Sequence, residues 1–509
     1  MSRRKSFKIL TIGGWLVRIL QVGNNLLLIP LYLKYIGVES YGYWLASGGV
    51  LAWVAAFDFG VVGIIKLRCA FYFGKNQPEK AAAYFQTGLI IYSLLLLLML
   101  GIAYGLSFVL DPLLDFPAED VDLYRHTFML AALAVTFAVL KNALGAYLHA
   151  LQRPVADVFA SVVGQLINLI VVIYLLLWTS LGLWVIPIGM LSNHLLSTVC
   201  VLGYLSLRTN TLRRLLSFQR AIFFDYLTTS PILFFSRLGS QLTAKIEPTL
   251  IVMYLTPELA TMFTVAKRLI EVMMGFANTV RGGMIAGFSH YFGEKGAGAT
   301  VDLLDRILQM TLAMSFAIAL VYLASNRPFV GVWVGPELYI GTLICALIGL
   351  EALTRSVGDS MIQLVGALGE MRRSSVALLA ELIVKVGLMF LFLPLLGIVG
   401  LPLAALLSGA AKAAYSIRRL KSNLAAVRVD IARPLLAAFL ALGLLVGAAL
   451  LGSYDAGQSH WLWPPLTLVL SGLCAAAYVI WAFPFVRCEL FSGLMQVRAR
   501  LPIFGPKTI

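Results

Sequence analysis

Basic residues inside long apolar runs are the groups of this chain with the clearest potential for chemistry. Several of them have no acidic residue three or four positions away, the spacing that would place a partner on the same helix face; among these are Arg18, Lys141, Arg237 and Lys412. A charge at the bilayer centre costs about 2.5 to 3.5 kcal/mol on insertion scales, so such residues should face a wet interior. Guanidinium and ammonium groups attract anions, and the guanidinium fork matches phosphate oxygens. The pattern indicates a site for a phosphate-bearing ligand, for which a pyrophosphate headgroup is a natural fit.

Polar residues at helical spacing accompany these cations. Three stripes follow the period of one helix face: Arg18, Gln21 and Asn25; Lys141, Gly145 and His149; and Arg237, Gln241 and Lys245. Polar packing between helices, or snorkelling to an interface, is the alternative interpretation of each stripe. Lys412 and Arg281 lie near predicted cytoplasmic ends, where snorkelling is favoured. Lys141 and Arg237 lie near the middle of their runs, where a functional role is favoured.

Carboxylates inside the apolar runs are candidates for ion coupling or for charge pairing. Four acid–base pairs have i, i+4 spacing, which predicts salt bridges along one helix face: Lys267 with Glu271, Glu351 with Arg355, Arg355 with Asp359, and Glu381 with Lys385. Asp58 and Glu247 have no partner at that spacing. Asp58 in particular is a candidate carrier of a coupling proton or sodium ion, and a salt bridge to an unpaired cation is its equally weighted alternative. No other cofactor and no metal site is expected.

The composition indicates which elements must position these residues. Apolar residues make up 60% of the 509 residues, charged residues only 12%, and the mean hydropathy is +0.90. These values exceed those of water-soluble domains and indicate an integral membrane protein. The apolar blocks are long enough to cross about 30 Å of hydrocarbon as helices. The five cysteines are scattered without a metal-binding or disulfide spacing.

Fourteen transmembrane helices are predicted. Their approximate ranges are 9–35, 41–66, 87–110, 126–151, 157–179, 183–206, 224–254, 258–290, 303–325, 338–366, 374–396, 399–418, 434–453 and 462–486. Basic residues collect in alternate connections, and the opposite connections hold only Lys34, Arg125 and Arg327. By the positive-inside rule, both termini are expected in the cytoplasm. The net charge of +15 is explained mainly by this bias, so no nucleic-acid partner is expected.

An internal repeat predicts how the helices are arranged. An offset of 219 residues carries Arg18 onto Arg237, Glu39 onto Glu258, and the tripeptide that begins at Tyr72 onto that at Tyr291. Six predicted spans separate the copies, so they share one membrane orientation, as parallel repeats do. The prediction is an all-α membrane protein with two pseudo-symmetric six-helix lobes around a central cavity, 1–210 and 211–422, followed by two helices in 423–509.

Several segments resemble the polysaccharide transporter branch of the multidrug, oligosaccharidyl-lipid and polysaccharide exporter superfamily, which includes O-antigen flippases. The segments are Pro30-Leu-Tyr-Leu-Lys-Tyr-Ile-Gly37, Glu39-Ser-Tyr-Gly-Tyr-Trp44, Asp58-Phe-Gly60, Tyr72-Phe-Gly-Lys75, Ile246-Glu-Pro-Thr-Leu-Ile251 and Phe263-Thr-Val-Ala-Lys-Arg-Leu269. The resemblance covers nearly the whole chain in layout. The second lobe departs from the pattern, because Thr256-Pro257 replaces a glycine and the position matching Asp58 is Ala277.

The resemblance implies an ion-coupled, alternating-access flippase of the bacterial inner membrane that acts in lipopolysaccharide or related polysaccharide biosynthesis. Its expected cargo is an undecaprenyl-diphosphate-linked oligosaccharide, moved from the cytoplasmic to the periplasmic leaflet, with a polysaccharide polymerase and a chain-length regulator as expected partners. The expected diphosphate-binding residues are Arg237, Lys141, Arg18, Lys245 and Arg268. The expected ion-coupling or charge-pair residues are Asp58, Glu247, Glu271, Glu351, Arg355 and Asp359.

Other functions remain open at this point. Lipid II or another lipid-linked precursor is an alternative cargo of the same fold. A cationic drug fits poorly with an interior rich in unpaired cations. A membrane glycosyltransferase or polymerase is a weaker alternative, supported only by the Asp120-Val-Asp122 pair, which could hold a divalent metal against a diphosphate. No phosphate-binding P-loop motif occurs, so ATP hydrolysis by this chain is not expected.

Overall fold

A computed structural model describes residues 3–208, 218–299, 301–423, 469–473 and 475. These residues form α helices joined by short connections and three 3-10 turns. The helices are α1 Arg3–Tyr35, α2 Val38–Ala56, α3 Val61–Gly74, α4 Pro78–Leu114, α5 Val121–Ala150, α6 Val155–Trp178, α7 Val185–Arg208, α8 Arg220–Tyr254, α9 Pro257–Ala299, α10 Val301–Trp333, α11 Thr342–Ala367, α12 Met371–Leu396 and α13 Gly400–Asn423.

The predicted all-α membrane fold is confirmed. The first twelve predicted spans each fall on described helices, whereas the last two, 434–453 and 462–486, lie almost wholly outside the described residues. Within the part of the chain that the structure describes, seven stretches are apolar and long enough to cross a membrane: Ile12–Tyr35, Pro78–Leu114, Val121–Ala150, Val155–Trp178, Gly182–Arg208, Val301–Trp333 and Arg372–Ser422. The chain is a multi-pass helical membrane protein.

The prediction of one continuous span over 41–66 is wrong, because this segment forms two helices. Phe59 and Gly60 have positive φ angles of 47° and 72°, which no α helix contains. The Asp58 carboxylate accepts a hydrogen bond from the Gly60 backbone N–H at 2.8 Å. This local bond offers the backbone an alternative to the helical ladder, a property of aspartate in turns, and glycine tolerates the left-handed conformation that follows.

The chain divides into two compact units, Met1–Thr261 and Met262–Ile509. The predicted lobe boundary at 210/211 stays a prediction about the repeat. In the first unit α7 packs along both α5 and α6, α1 packs on α6, and α2 packs on α8. The α2–α8 contact is close, because a Cβ added at Gly49 would lie 2.6 Å from the Lys245 carbonyl oxygen. Thr249 reinforces it by donating to the Ala46 carbonyl at 2.8 Å.

The second unit repeats part of this packing scheme. There α13 packs along both α11 and α12, and α10 packs on α11. Its apolar core joins residues of α9, α10, α11 and α13, with Phe288, Ile307, Met361 and Leu420 all nearly inaccessible. The triad of α5, α6 and α7 in the first unit therefore has a counterpart of the same chain order in α11, α12 and α13.

Candidate functional site

Arg18 lies on a polar, exposed face of α1. Successive residues of an α helix are about 100° apart, so positions three, four and seven apart share a face. One exposed face is apolar: Ile12, Leu16 and Ile19. The face roughly opposite is exposed and polar: Arg18, Gln21 and Asn25. Arg18 forms no salt bridge within the described part of the chain, so its charge is available to a ligand.

The contact between α1 and α6 uses a neighbouring residue instead of this stripe. The Asn24 amide is buried and donates to the Gln165 backbone carbonyl at 2.9 Å and to the Gln165 side-chain oxygen at 3.1 Å. Polar packing between helices, the alternative considered for the stripe, is thus carried out by Asn24. That leaves Arg18, Gln21 and Asn25 without a packing role in this contact.

The expected stripe of α8 is described only at its last position. Arg237 and Gln241 lie on α8, but their side chains lie outside the described residues. Lys245 is exposed and forms no salt bridge within the described part of the chain. Its backbone is fixed by the close packing against Gly49, so a rigid helix pair positions the ammonium group. Glu247, two residues on, is buried with 4% exposure.

Lys141 is paired, which corrects the expectation that it carries an unneutralised charge. Its Nζ lies 2.9 Å from Asp157 Oδ1 on α6 and donates to Ser161 Oγ at 2.7 Å. The other carboxylate oxygen, Asp157 Oδ2, lies 2.9 Å from His149 Nε2. Lys141, His149 and Asp157 are here called the His149 cluster; their side chains are 14%, 23% and 13% exposed.

Gly145 explains why these residues meet. A Cβ added there would lie 2.6 Å from Asp157 Oδ1, so the carboxylate occupies the space that the missing side chain leaves. The stripe of Lys141, Gly145 and His149 is therefore the surface of α5 that receives Asp157 from α6. The sequence pattern identified the receiving surface but not the aspartate, which lies on the next helix.

Lys412 is buried, so the expectation that it snorkels to an interface is wrong. Its Nζ lies 2.5 Å from Asp359 Oδ1 on α11 and 2.7 Å from Glu381 Oε1 on α12. These three residues are here called the Lys412 cluster; their side chains are 3%, 41% and 7% exposed for Lys412, Asp359 and Glu381. Gly358 makes room for the lysine, because a Cβ there would lie 2.7 Å from Lys412 Cε.

The acid–base pairs expected within single helices also have partners outside those pairs. Glu351 and Arg355 do pair, with Arg355 Nε 3.3 Å from Glu351 Oε1, and Glu351 is 1% exposed. Glu271 lies 3.6 Å from Arg268, and the Lys267 ammonium lies over the Phe263 ring. Asp359 and Glu381, the carboxylates of the last two expected pairs, both contact Lys412 of α13.

Asp58 is buried, with 5% exposure, at the break between α2 and α3. Its hydrogen bond to Gly60 gives it a structural role there. Its expected role in ion coupling stays a prediction, as do the roles of Glu247, Glu271, Glu351, Arg355 and Asp359. No group of three or more His, Cys, Asp or Glu side chains within the described ranges has a geometry that could hold a metal ion.

A further charged network was missed because its members lie far apart in the chain. Arg68 on α3 donates to Asp225 Oδ1 on α8 at 2.7 Å, and Tyr84 on α4 donates to Asp225 Oδ2 at 3.0 Å. The adjacent Tyr226 donates to the Tyr84 carbonyl at 3.0 Å. The start of α8 is thereby tied to α3 and α4. No local spacing in the sequence signals this network.

The fold resembles that of several solved membrane transporters. The chain superposes with a TM-score of 0.69 on an inward-facing multidrug resistance MATE family transporter of the MOP superfamily, at 14% identity over 81% of this chain and 96% of that one. No family model matches the sequence, and no curated protein matches it. The likeness is therefore one of fold.

Two further solved structures show the range of that fold. The lipid II flippase MurJ, in an inward closed conformation, superposes with a TM-score of 0.69 at 15% identity over 93% of this chain and 98% of that one. A MOP superfamily transporter from Pyrococcus furiosus, described as having a binding pocket of reverse polarity, superposes with a TM-score of 0.59 at 16% identity over 82% of this chain and 96% of that one. These structural neighbours are transporters and flippases, not enzymes.

Proposed function

We propose that this protein is a flippase that moves an undecaprenyl-diphosphate-linked oligosaccharide from the cytoplasmic to the periplasmic leaflet by ion-coupled alternating access. The observation that carries the proposal is the pair of exposed cations Arg18 and Lys245, neither of which has a salt-bridge partner within the described residues. Arg18 lies on a helix that is apolar and long enough to cross a membrane, and Lys245 lies on α8, which the sequence predicts to be a span. A charge within a bilayer is costly, so such a residue is a candidate for a functional role. A diphosphate headgroup supplies the missing anion.

The fold supports the transport half of the proposal. A multi-pass helical bundle of the MOP type has MATE transporters and a lipid II flippase among its structural neighbours. Inner-membrane location, cytoplasmic termini and contact with a polymerase and a chain-length regulator belong to the proposal and follow from the resemblance and the charge bias of the loops.

Lipid II is the second candidate cargo. The observation that favours it is the match to the lipid II flippase MurJ, which extends over 93% of this chain. Lipid II and the proposed glycolipid share the polyprenyl diphosphate, so the cations serve both equally. The two lipids differ in the sugars that are attached to this diphosphate.

The test is reconstitution into liposomes that carry a fluorescent undecaprenyl-diphosphate-linked oligosaccharide or fluorescent lipid II in separate arms. Flipping is measured as the fraction of label that becomes accessible to a membrane-impermeant quencher. We expect the wild type to flip the oligosaccharide lipid at least tenfold faster than lipid II, and Arg18→Gln to lower that rate at least tenfold. Arg153→Gln, a change at an exposed cation in the turn between α5 and α6, is the matched control and should leave the rate unchanged.

Faster flipping of lipid II than of the oligosaccharide lipid would replace the first cargo by the second. Equal rates in wild type and Arg18→Gln, at equal amounts of reconstituted protein, would refute the cationic-site mechanism. Absence of flipping for both lipids would refute the proposed function.

A further inference from the structure

The His149 cluster has a composition that links anion binding to protonation. Lys141 contributes one positive charge and Asp157 one negative charge, so the cluster is neutral when the imidazole is neutral and carries +1 when it is protonated. Nε2 of His149 faces Asp157 Oδ2 at 2.9 Å. An Nε2–H donates to that carboxylate in both protonation states, so the additional proton binds Nδ1 and the hydrogen bond to Asp157 persists.

Titratable and aromatic groups of the neighbouring elements surround α5. From α7, His194 lies near Lys141. From α3, the charge of Arg68 is taken by Asp225, and Phe73 of α3 and Phe85 of α4 pack against Tyr147 of α5. From α2, Tyr43 contacts Tyr124 near the opposite end of α5. His194 is thus a titratable group beside the cluster, and Arg153 lies in the turn that joins the helices of the cluster, α5 and α6.

The three side chains are also partly open to solvent. The side chains of Lys141 and His149 keep 14% and 23% of their surface exposed, while Ser161 and Asp157 hold Lys141 in place. Lys141 and protonated His149 together can attract an anion. The negative charge of Asp157 beside them lowers the affinity for that anion. An anion that enters will favour the imidazolium form, because binding of the proton and binding of the anion must strengthen each other to the same extent.

We infer that Lys141 and His149 form a diphosphate-binding site that takes up a proton at His149 Nδ1 as the ligand binds, and that Asp157 lowers its affinity. This inference rests on the proposed function for its biological ligand, since the diphosphate would be the headgroup of the lipid-linked cargo. Lys141 supplies a permanent charge and His149 a conditional one. The site therefore binds more tightly when His149 carries its additional proton.

The test is isothermal titration calorimetry of the purified full-length protein with geranyl diphosphate at pH 7 in two buffers of different ionisation enthalpy. The difference in apparent binding enthalpy counts the protons taken up per ligand. We expect at least about half a proton in the wild type and none in His149→Gln, whose amide keeps a donor for Asp157. His126→Gln, the same change at an exposed histidine of α5, should retain the wild-type uptake. Geraniol, which lacks the charge, should not compete.

Asp157→Asn keeps the shape of the side chain and removes its charge. We expect its Kd for geranyl diphosphate to fall at least fivefold, because the cations are no longer offset. Wild-type protein that binds geranyl diphosphate without proton uptake, or that does not bind it, would overturn the inference regardless of how any variant folds. So would uptake that persists in His149→Gln.

The two proposals fail separately. Flipping that depends on Arg18, without proton uptake at His149, would leave the proposed function intact and remove this site. Proton-linked binding of geranyl diphosphate in a protein that flips neither lipid would keep the site and remove the proposed function.

Discussion

The His149 cluster and the Lys412 cluster are built on matching helix triads but have opposite charge patterns. In the first unit, two nitrogen-bearing side chains of α5 share one carboxylate of α6. In the second unit, two carboxylates of α11 and α12 share one ammonium of α13. In each case a glycine of the first helix of the triad, Gly145 or Gly358, provides the space. The two helix triads thus share a packing scheme, but the first holds two cationic groups with one carboxylate and the second holds two carboxylates with one ammonium.

The difference in exposure suggests different uses. The cationic side chains of the His149 cluster keep 14% and 23% of their surface, whereas Lys412 keeps 3%. A buried ion pair contributes little net stability, yet removing one member leaves an uncompensated charge. We therefore expect the Lys412 cluster to stabilise the packing of its helices, and the His149 cluster is the more exposed of the two.

The largest loss of stability is expected at the Lys412 cluster. Lys412→Met should lower the free energy of unfolding in detergent by about 3 kcal/mol, because it removes the ammonium that contacts the Glu381 carboxylate, whose side chain is only 7% exposed. Lys421→Met, in the last turn of the same helix, is the matched control and should have little effect. Adding Glu381→Gln to Lys412→Met should recover part of the loss. A loss of the same size in Lys421→Met would contradict the prediction that the Lys412 cluster stabilises the fold.

Substitution of Gly358 tests whether the space that this glycine leaves for Lys412 is needed for stability. Gly358→Ala should cost about 2 kcal/mol, since its Cβ would lie 2.7 Å from Lys412 Cε and overpacking typically costs about 1 to 3 kcal/mol. Gly105→Ala on α4 meets nothing within 4 Å and should be neutral or slightly stabilising. Chemical denaturation in one detergent compares the two. Equal stabilities would mean that the second cluster tolerates displacement of its lysine.

Asp157→Asn should destabilise the protein by about 1 kcal/mol, less than Lys412→Met, because Lys141 retains its bond to Ser161 and partial access to water. The same denaturation measurement gives the comparison. A loss of about 3 kcal/mol or more, the value typical of a broken buried ion pair, would show that both clusters stabilise the fold to a similar extent.

The smallest loss of stability is expected at an exposed ion pair. Asp122→Asn removes the partner of Arg125 at a site where the Asp122 side chain is 81% exposed. Surface salt bridges contribute about 0 to 1 kcal/mol, so we expect a change within about 0.5 kcal/mol in the same assay. A larger loss would show that pairing itself, rather than burial, determines the effects seen in the clusters.

The sequence predicted the membrane class and the positions of most helices because apolar length and basic loops report directly on the bilayer. It did not predict the partners of Lys141 and Lys412, because local spacing finds partners on one helix only and these carboxylates come from neighbouring helices. The break at Asp58 was missed because its flanks are as apolar as a continuous span. Its signal was present in the Asp-Phe-Gly sequence, which offers a side-chain acceptor followed by a glycine.

The candidate site was predictable in part. Arg18 and Lys245 could be found because a charge in an apolar run is conspicuous, and their exposure without a described ion-pair partner fits the interpretation. Arg268 was chosen in the same way, but it lies beside Glu271. Whether a cation is available depends on the geometry of neighbouring helices, which composition and period do not contain.

The repeat also pairs the broken α2–α3 segment with the single helix α9, whose position matching Asp58 is Ala277. Without the competing carboxylate and glycine, α9 continues for 43 residues. At about 1.5 Å per residue such a rod is roughly 65 Å long, about twice the thickness of the hydrocarbon layer. The helix is therefore longer than the hydrocarbon layer is thick, and we expect part of α9 to lie in water or among lipid headgroups. A cysteine placed at Glu294, close to its end, should react with a membrane-impermeant maleimide.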